Sequence, residues 1–231
     1  MSLSLTRVFL VTEETVCAVA CFVLVWFLIK PYLTTREGRY LGLPLGFGIL
    51  GVTYLLSAIT HFIPIYTSSP TFVVNELSWL QLLARPFAFA FLVFTYYFSN
   101  KSSKARLPWN ITLSVLIVAL TSLVVLFFVV PQSALGSYRT IGVYARVFCL
   151  ICLIYISAHT LRSHLQAQNS KTILTPFGFI FLAISQYSVM IWAYEGGDLA
   201  FYSGLVIRWI GLGIFLLVAY RSFYGNKRSS I

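Results

Sequence analysis

The sequence predicts an all-α integral membrane protein with seven transmembrane helices, its N-terminus outside and its C-terminus cytoplasmic. Three observations predict it. Of the 231 residues 59 % are hydrophobic and only 10 % charged, whereas soluble domains carry about 25 % charged residues. Seven apolar stretches are long enough to cross a hydrocarbon layer of ~30 Å, which takes about 20 helical residues. Eleven of the 16 lysines and arginines gather at one set of alternate helix ends.

Span 1, near 12–33, is an apolar run preceded by Glu13 and Glu14 and closed by Lys30, Arg36 and Arg39. Its length, and acids in place of a basic leader, make it a retained helix and not a signal peptide. Span 2, near 41–66, carries PLGFGIL at one end and His61 near the other. Span 3, near 77–99, holds Arg85 and Pro86, and Lys101, Lys104 and Arg106 follow it. Span 4, near 109–131, has no charge, and the sequon at Asn110 falls at its inner edge, where no glycan is added. Span 5, near 141–161, contains Arg146 and is followed by Arg162 and Lys171. Span 6, near 173–194, carries PFGFIFL, Gln186, Tyr187, Trp192 and Tyr194. Span 7, near 200–224, contains Arg208 and closes on Arg221, Lys227 and Arg228. The loops between spans are short, so residues 1–231 form one membrane domain.

Only Arg7 and Arg139 lie at the opposite helix ends, together with Glu13, Glu14, Glu76, Glu195 and Asp198. Basic loops face the cytoplasm, which sets the orientation and places the protein in the cell membrane. The net charge of +10 therefore records topology and contact with the lipid bilayer, and no nucleic-acid partner is expected.

The chain also reads as an internal 3+1+3 duplication. Displaced by 132 residues, Pro44, Gly46, Phe47 and Leu50 fall on Pro176, Gly178, Phe179 and Leu182, and Cys17 falls on Cys149. After a loop nine residues shorter the displacement is 123, and Arg85 falls on Arg208 and Tyr97 on Tyr220. Repeat 1 is then about 7–99, the linker helix about 109–131 and repeat 2 about 139–224, related by an axis along the membrane normal.

The polar residues inside the spans form the candidate site. Arg85 and Arg208 each lie eight residues past the start of their spans and Arg146 lies five past its own. At 1.5 Å per residue the three share one layer, roughly 8–12 Å below the outer boundary. His61, Gln81, Gln186 and Tyr187 are expected beside them, and Gly204 and Gly211 leave room beside Arg208. A charge in a span faces the bundle interior and finds a partner. In one reading each arginine pairs with an acid among Glu13, Glu14, Glu76, Glu195 and Asp198, or snorkels to the surface. In the other, two or three guanidiniums share a pocket and bind a carboxylate or phosphate through their planar forks. Cys17, Cys21, Cys149 and Cys152 read as small apolar core residues, and neither a metal nor a covalent cofactor is expected. No HExxH, no GxGxxG after a strand and no nucleophile matched to a base is present, so the expectation is a protein that is not an enzyme.

The segments SQYSVMIWAYEGG (185–197) and RWIGLGIF (208–215) resemble helices 6 and 7 of microbial rhodopsins, a family that also has an arginine in helix 3, as Arg85 is here. The resemblance covers two or three helices and implies seven helices with the N-terminus outside. It does not carry the photochemistry over. That family holds retinal on a lysine of helix 7, whereas the lysines here (30, 101, 104, 171 and 227) lie in loops or at the cytoplasmic edge, and Arg208 occupies the comparable stretch.

Three functions compete on these grounds. A sensor or receptor-like binder of a small anionic or polar ligand fits the outer polar layer, and needs a membrane partner or a homo-oligomer to carry a signal. A small-solute transporter fits the duplication, but the inner halves (GIFLLVA, FGFIFLA, LGFGIL) lack the polar groups of a permeation path. A structural subunit of a larger membrane complex is the third.

Overall fold

In lipid every backbone N–H and C=O must be satisfied within its own segment, so apolar runs of this length have one solution, the α-helix. The computed structural model describes residues 3–35, 40–66, 71–99, 106–129, 137–167, 174–196 and 198–224. They form α1 (Leu3–Leu28), α2 (Lys30–Thr35), α3 (Gly42–Tyr66), α4 (Thr71–Ser99), α5 (Arg106–Val129), α6 (Tyr138–Ala167), α7 (Leu174–Glu195) and α8 (Asp198–Tyr224). Seven helices are long and apolar enough to cross a membrane, α1 and α2 together forming one of them, Arg7–Thr35. The short break at Ile29 precedes Pro31, which has no N–H to give the carbonyl four residues back. The chain bridges it with Ile29 N–H to Val25 O at 2.9 Å and Leu33 N–H to Ile29 O at 3.1 Å. The loop cations Arg36, Arg39, Lys101, Lys104, Lys171, Lys227 and Arg228 lie outside the described residues.

Several buried hydroxyls are absorbed by the helices that carry them, whereas those of Tyr54 and Ser185 have no partner among the described residues. Thr60, Thr95, Ser157 and Thr160 each donate to the carbonyl one turn back, at 2.6–2.8 Å. Gly196, at φ 73°, ends α7: its N–H reaches Trp192 O at 2.8 Å, a left-handed cap that suits glycine.

Six helices pack in a closed ring: α1 on α3, α3 on α4, α4 on α6, α6 on α7, α7 on α8, and α8 back on α1. α5 packs on α4 outside the ring. Only 6 % of its span is buried, against 56 % for α3. Facing outward are large apolar side chains such as Trp26, Tyr144, Val118 and Ile151. Such a surface suits lipid and would be a liability in water. The centre of one half of the ring is a dry cluster that includes Leu24, Phe47, Leu50, Phe89, Leu92, Phe179, Leu182 and Phe215. The buried acids and arginines lie in the other half.

Candidate functional site

α1 begins at Leu3, well before the expected start of span 1, so Glu13 and Glu14 stand inside the bundle and not above it. Both are buried, Glu13 completely. Hydropathy reads a Glu-Glu pair as a helix end; what overrides it is Arg208. One of its terminal nitrogens, Nη1, lies 3.3 Å from Glu13 Oε1 and 3.3 Å from Glu14 Oε1. Arg208 itself is only 2 % exposed. Cys17 donates its S–H to Glu13 Oε1 at 3.3 Å, one turn along α1. A carboxylate pair and a guanidinium buried apart would each be costly, but together they make the seam between α1 and α8.

Beside this seam is a cavity of about 390 Å³. α4 contributes Ser78, Gln81 and Arg85, spaced three and four residues apart on one helix face. Ser57, Thr60 and His61 come from α3, and Tyr138, Arg146 and Cys149 from α6. Glu14 and Arg208 form part of one wall, and Trp192, Phe201, Tyr202 and Leu205 of α7 and α8 form another. The N-terminal halves of α1, α4, α6 and α8 thus meet the C-terminal halves of α3 and α7, as alternating spans require. Among the described residues no carboxylate lies within salt-bridge distance of Arg85 or Arg146. The Nε of Arg85 and the Oε1 of Gln81 are buried without a hydrogen-bond partner. Tyr54, fully buried, lies against two of the arginines: its ring centre is 5.3 Å from the Arg85 guanidinium carbon and 5.1 Å from that of Arg208. Both distances lie within cation–π range.

Arg85, Arg146, Arg208, His61, Gln81 and Glu14 are therefore brought together, and Glu13 stands directly behind them. Three expected members are not. Gln186 is buried but does not line the cavity, Tyr187 is half exposed on the outside of the bundle, and Glu195 is exposed. Tyr187 follows a buried Gln186, and neighbouring residues on a helix cannot share a face. Gly204 and Gly211 leave room beside Arg208 for a neighbouring helix. A Cβ on Gly204 would stand 3.0 Å from Ser188 Cβ, and one on Gly211 would stand 3.1 Å from Gly178 O, so both admit α7. The side chains of Tyr194 and Asp198 lie outside the description. Tyr54, Ser57, Thr60, Tyr138 and Tyr202 were missed. Tyr54, Ser57 and His61, at intervals of three and four in α3, were the legible signal, a polar stripe continuing toward the histidine.

The four cysteines are buried and free, and among the described residues no group of three or more His, Cys, Asp or Glu is arranged to hold a metal ion. No protein-family model, no curated protein and no solved structure matches the chain.

Proposed function

We propose that this is a cell-membrane protein, without enzymatic activity, that binds a small anionic ligand in the arginine-lined cavity and acts as a sensor or receptor-like binder. The observation that carries the reading is the imbalance of charge: three guanidiniums meet at the cavity, and among the described residues the two acids beside them are both paired with Arg208. In a medium of low dielectric such an excess calls for a counter-anion. With basic loops in the cytoplasm the cavity opens toward the outside. The signal then passes to a membrane partner or to a second copy of the chain.

The bundle is read as a 3+1+3 duplication, and its contacts support this. Each neighbour pair in the first triplet (α1–α3, α3–α4) has its counterpart in the second (α6–α7, α7–α8), the α4–α6 seam answers α8–α1, and α5 stands outside. A Cβ on Gly46 would meet the Leu92 side chain and Ala88 O, and one on Gly178 would meet the Phe215 ring. The displacement of 132 carries Gly46 to Gly178, and that of 123 carries Leu92 to Phe215 and Ala88 to Gly211. A scaffold like that of the microbial rhodopsins, without their retinal, remains part of the proposal on the resemblance of 185–197 and 208–215 alone. A duplicated bundle also suits a small-solute transporter, the second reading. The dry cluster filling the half beyond the cavity favours a binder that does not conduct.

The test is a thermal-shift titration of the purified full chain with acetate, benzoate and phosphate, alongside Arg85→Ala. At least one anion raises the melting temperature of the wild type, and Arg85→Ala stays folded without responding. If no anion shifts the wild type, and Arg85→Ala only melts lower, Arg85 serves the fold alone.

A further inference from the structure

We infer that the ligand is a single monoanion, a carboxylate carried on an apolar or aromatic body, clamped between Arg85 of α4 and Arg146 of α6. The inference rests on the anion-binding reading and assigns the arginines different tasks. Arg208 is ion-paired with Glu13 and Glu14 through two contacts of 3.3 Å that hold α8 on α1, although its Nε and the second oxygen of each acid have no partner among the described residues. Arg85 and Arg146 both line the cavity, and among the described residues no acid lies within salt-bridge distance of either.

The duplication shows what is missing there. The displacement that carries Cys17 to Cys149 also carries Glu14 to Arg146, and the one that carries Arg85 to Arg208 completes the pair. The α1–α8 seam is therefore acid against arginine, and the α4–α6 seam is arginine against arginine. The carboxylate that one repeat supplies from its own chain is supplied to the other from outside.

Charge sets the valence. Two carboxylates against three guanidiniums leave one positive charge among the described residues of the layer. One monoanion brings it to zero, whereas a dianion overshoots it, and buried charge of either sign is costly. The unpartnered Nε–H of Arg85 is one edge of the fork that binds carboxylate in two parallel hydrogen bonds. Gln81, one turn away on α4 with its amide oxygen unpartnered, can turn its NH₂ to the same anion.

The walls set the rest of the ligand. Toward the N-terminal end of α8, Phe201 lies 4.5 Å from Trp192 and 5.6 Å from Tyr202, centre to centre. Leu82, Val189 and Leu205 complete an apolar surface above the arginines. A volume of about 390 Å³ sits at the small end of organic-ligand pockets. The head goes to the arginines and an apolar body to the aromatic wall.

The probes are benzoate, its neutral isostere benzamide, acetate and sulfate, titrated calorimetrically into the full chain in detergent. Benzoate binds one per chain and at least tenfold more tightly than acetate, while benzamide and sulfate do not bind. Arg85→Gln and Arg146→Gln each weaken benzoate by at least tenfold. Where a Gln variant fails to fold, Arg146→Lys or Arg85→Lys is read in its place, since it keeps the charge but loses the fork and weakens benzoate likewise. If Arg146→Gln leaves benzoate binding intact, the clamp is overturned while an anion pocket stands. Sulfate binding as tightly as benzoate overturns the monoanion. If no probe binds the wild type, the anion-binding reading falls with it.

Discussion

Arg208 illustrates how one side chain decides the cost of others. Its guanidinium is what allows Glu13 and Glu14 to be buried in α1, and removing it strands two carboxylates in a dry seam. Breaking a buried ion pair from one side costs about 3–5 kcal/mol. Arg208→Ala is therefore expected to lower the melting temperature of the purified protein sharply. Adding Glu13→Gln and Glu14→Gln should recover a good part of the loss, because neutral amides tolerate the site. A triple variant no more stable than Arg208→Ala would mean that the arginine acts through packing on Tyr54, 5.1 Å from its ring centre, and not through charge. The three arginines, His61 and Gln81 were legible because charged and polar residues are rare in spans and have nowhere to go but inward. Which acid met which arginine was not legible, since Glu13 and Glu14 are separated from Arg208 by almost the whole chain.

At the scale of the element, composition makes the helices and small residues decide how closely they approach. Gly178 in α7 faces α8 so tightly that an added Cβ would come within 2.8 Å of the Phe215 ring. Gly213, two residues on from Gly211, has nothing within 4 Å of such an atom. Gly178→Ala should therefore lower the melting temperature. Gly213→Ala should leave it unchanged or raise it, since alanine is favoured over glycine in a helix by up to about 1 kcal/mol. Equal effects from the two substitutions would show that α7 and α8 pack less closely at that level. Pro86 is the other local decision. It removes one helical N–H from α4 beside Arg85 and leaves the carbonyl of Leu82 without its usual donor, at the cavity wall and not in the dry half.

For the whole molecule the expectation is an outward cavity, and orientation follows from the cations alone. Single cysteines introduced as Ser2→Cys and Ser229→Cys, in a background with Cys17, Cys21, Cys149 and Cys152 replaced by alanine, should report it. An impermeant thiol reagent applied to intact cells should label the first and not the second. The opposite pattern would reverse the topology and turn the cavity toward the cytoplasm.

Length and polarity of its runs determined, from sequence alone, that this chain makes seven membrane-length helices: span edges moved by no more than about a turn or two on folding, apart from the earlier start of α1. That much is local, since a segment's hydrocarbon match and internal hydrogen bonds depend only on itself. The ring order, the exclusion of α5, the acid pair on Arg208 and, among the described residues, the arginines left without one were decided by the tertiary structure. These depend on which faces meet. A helix face that is apolar on every side, as in most of these spans, carries no mark of its neighbour until packing selects one.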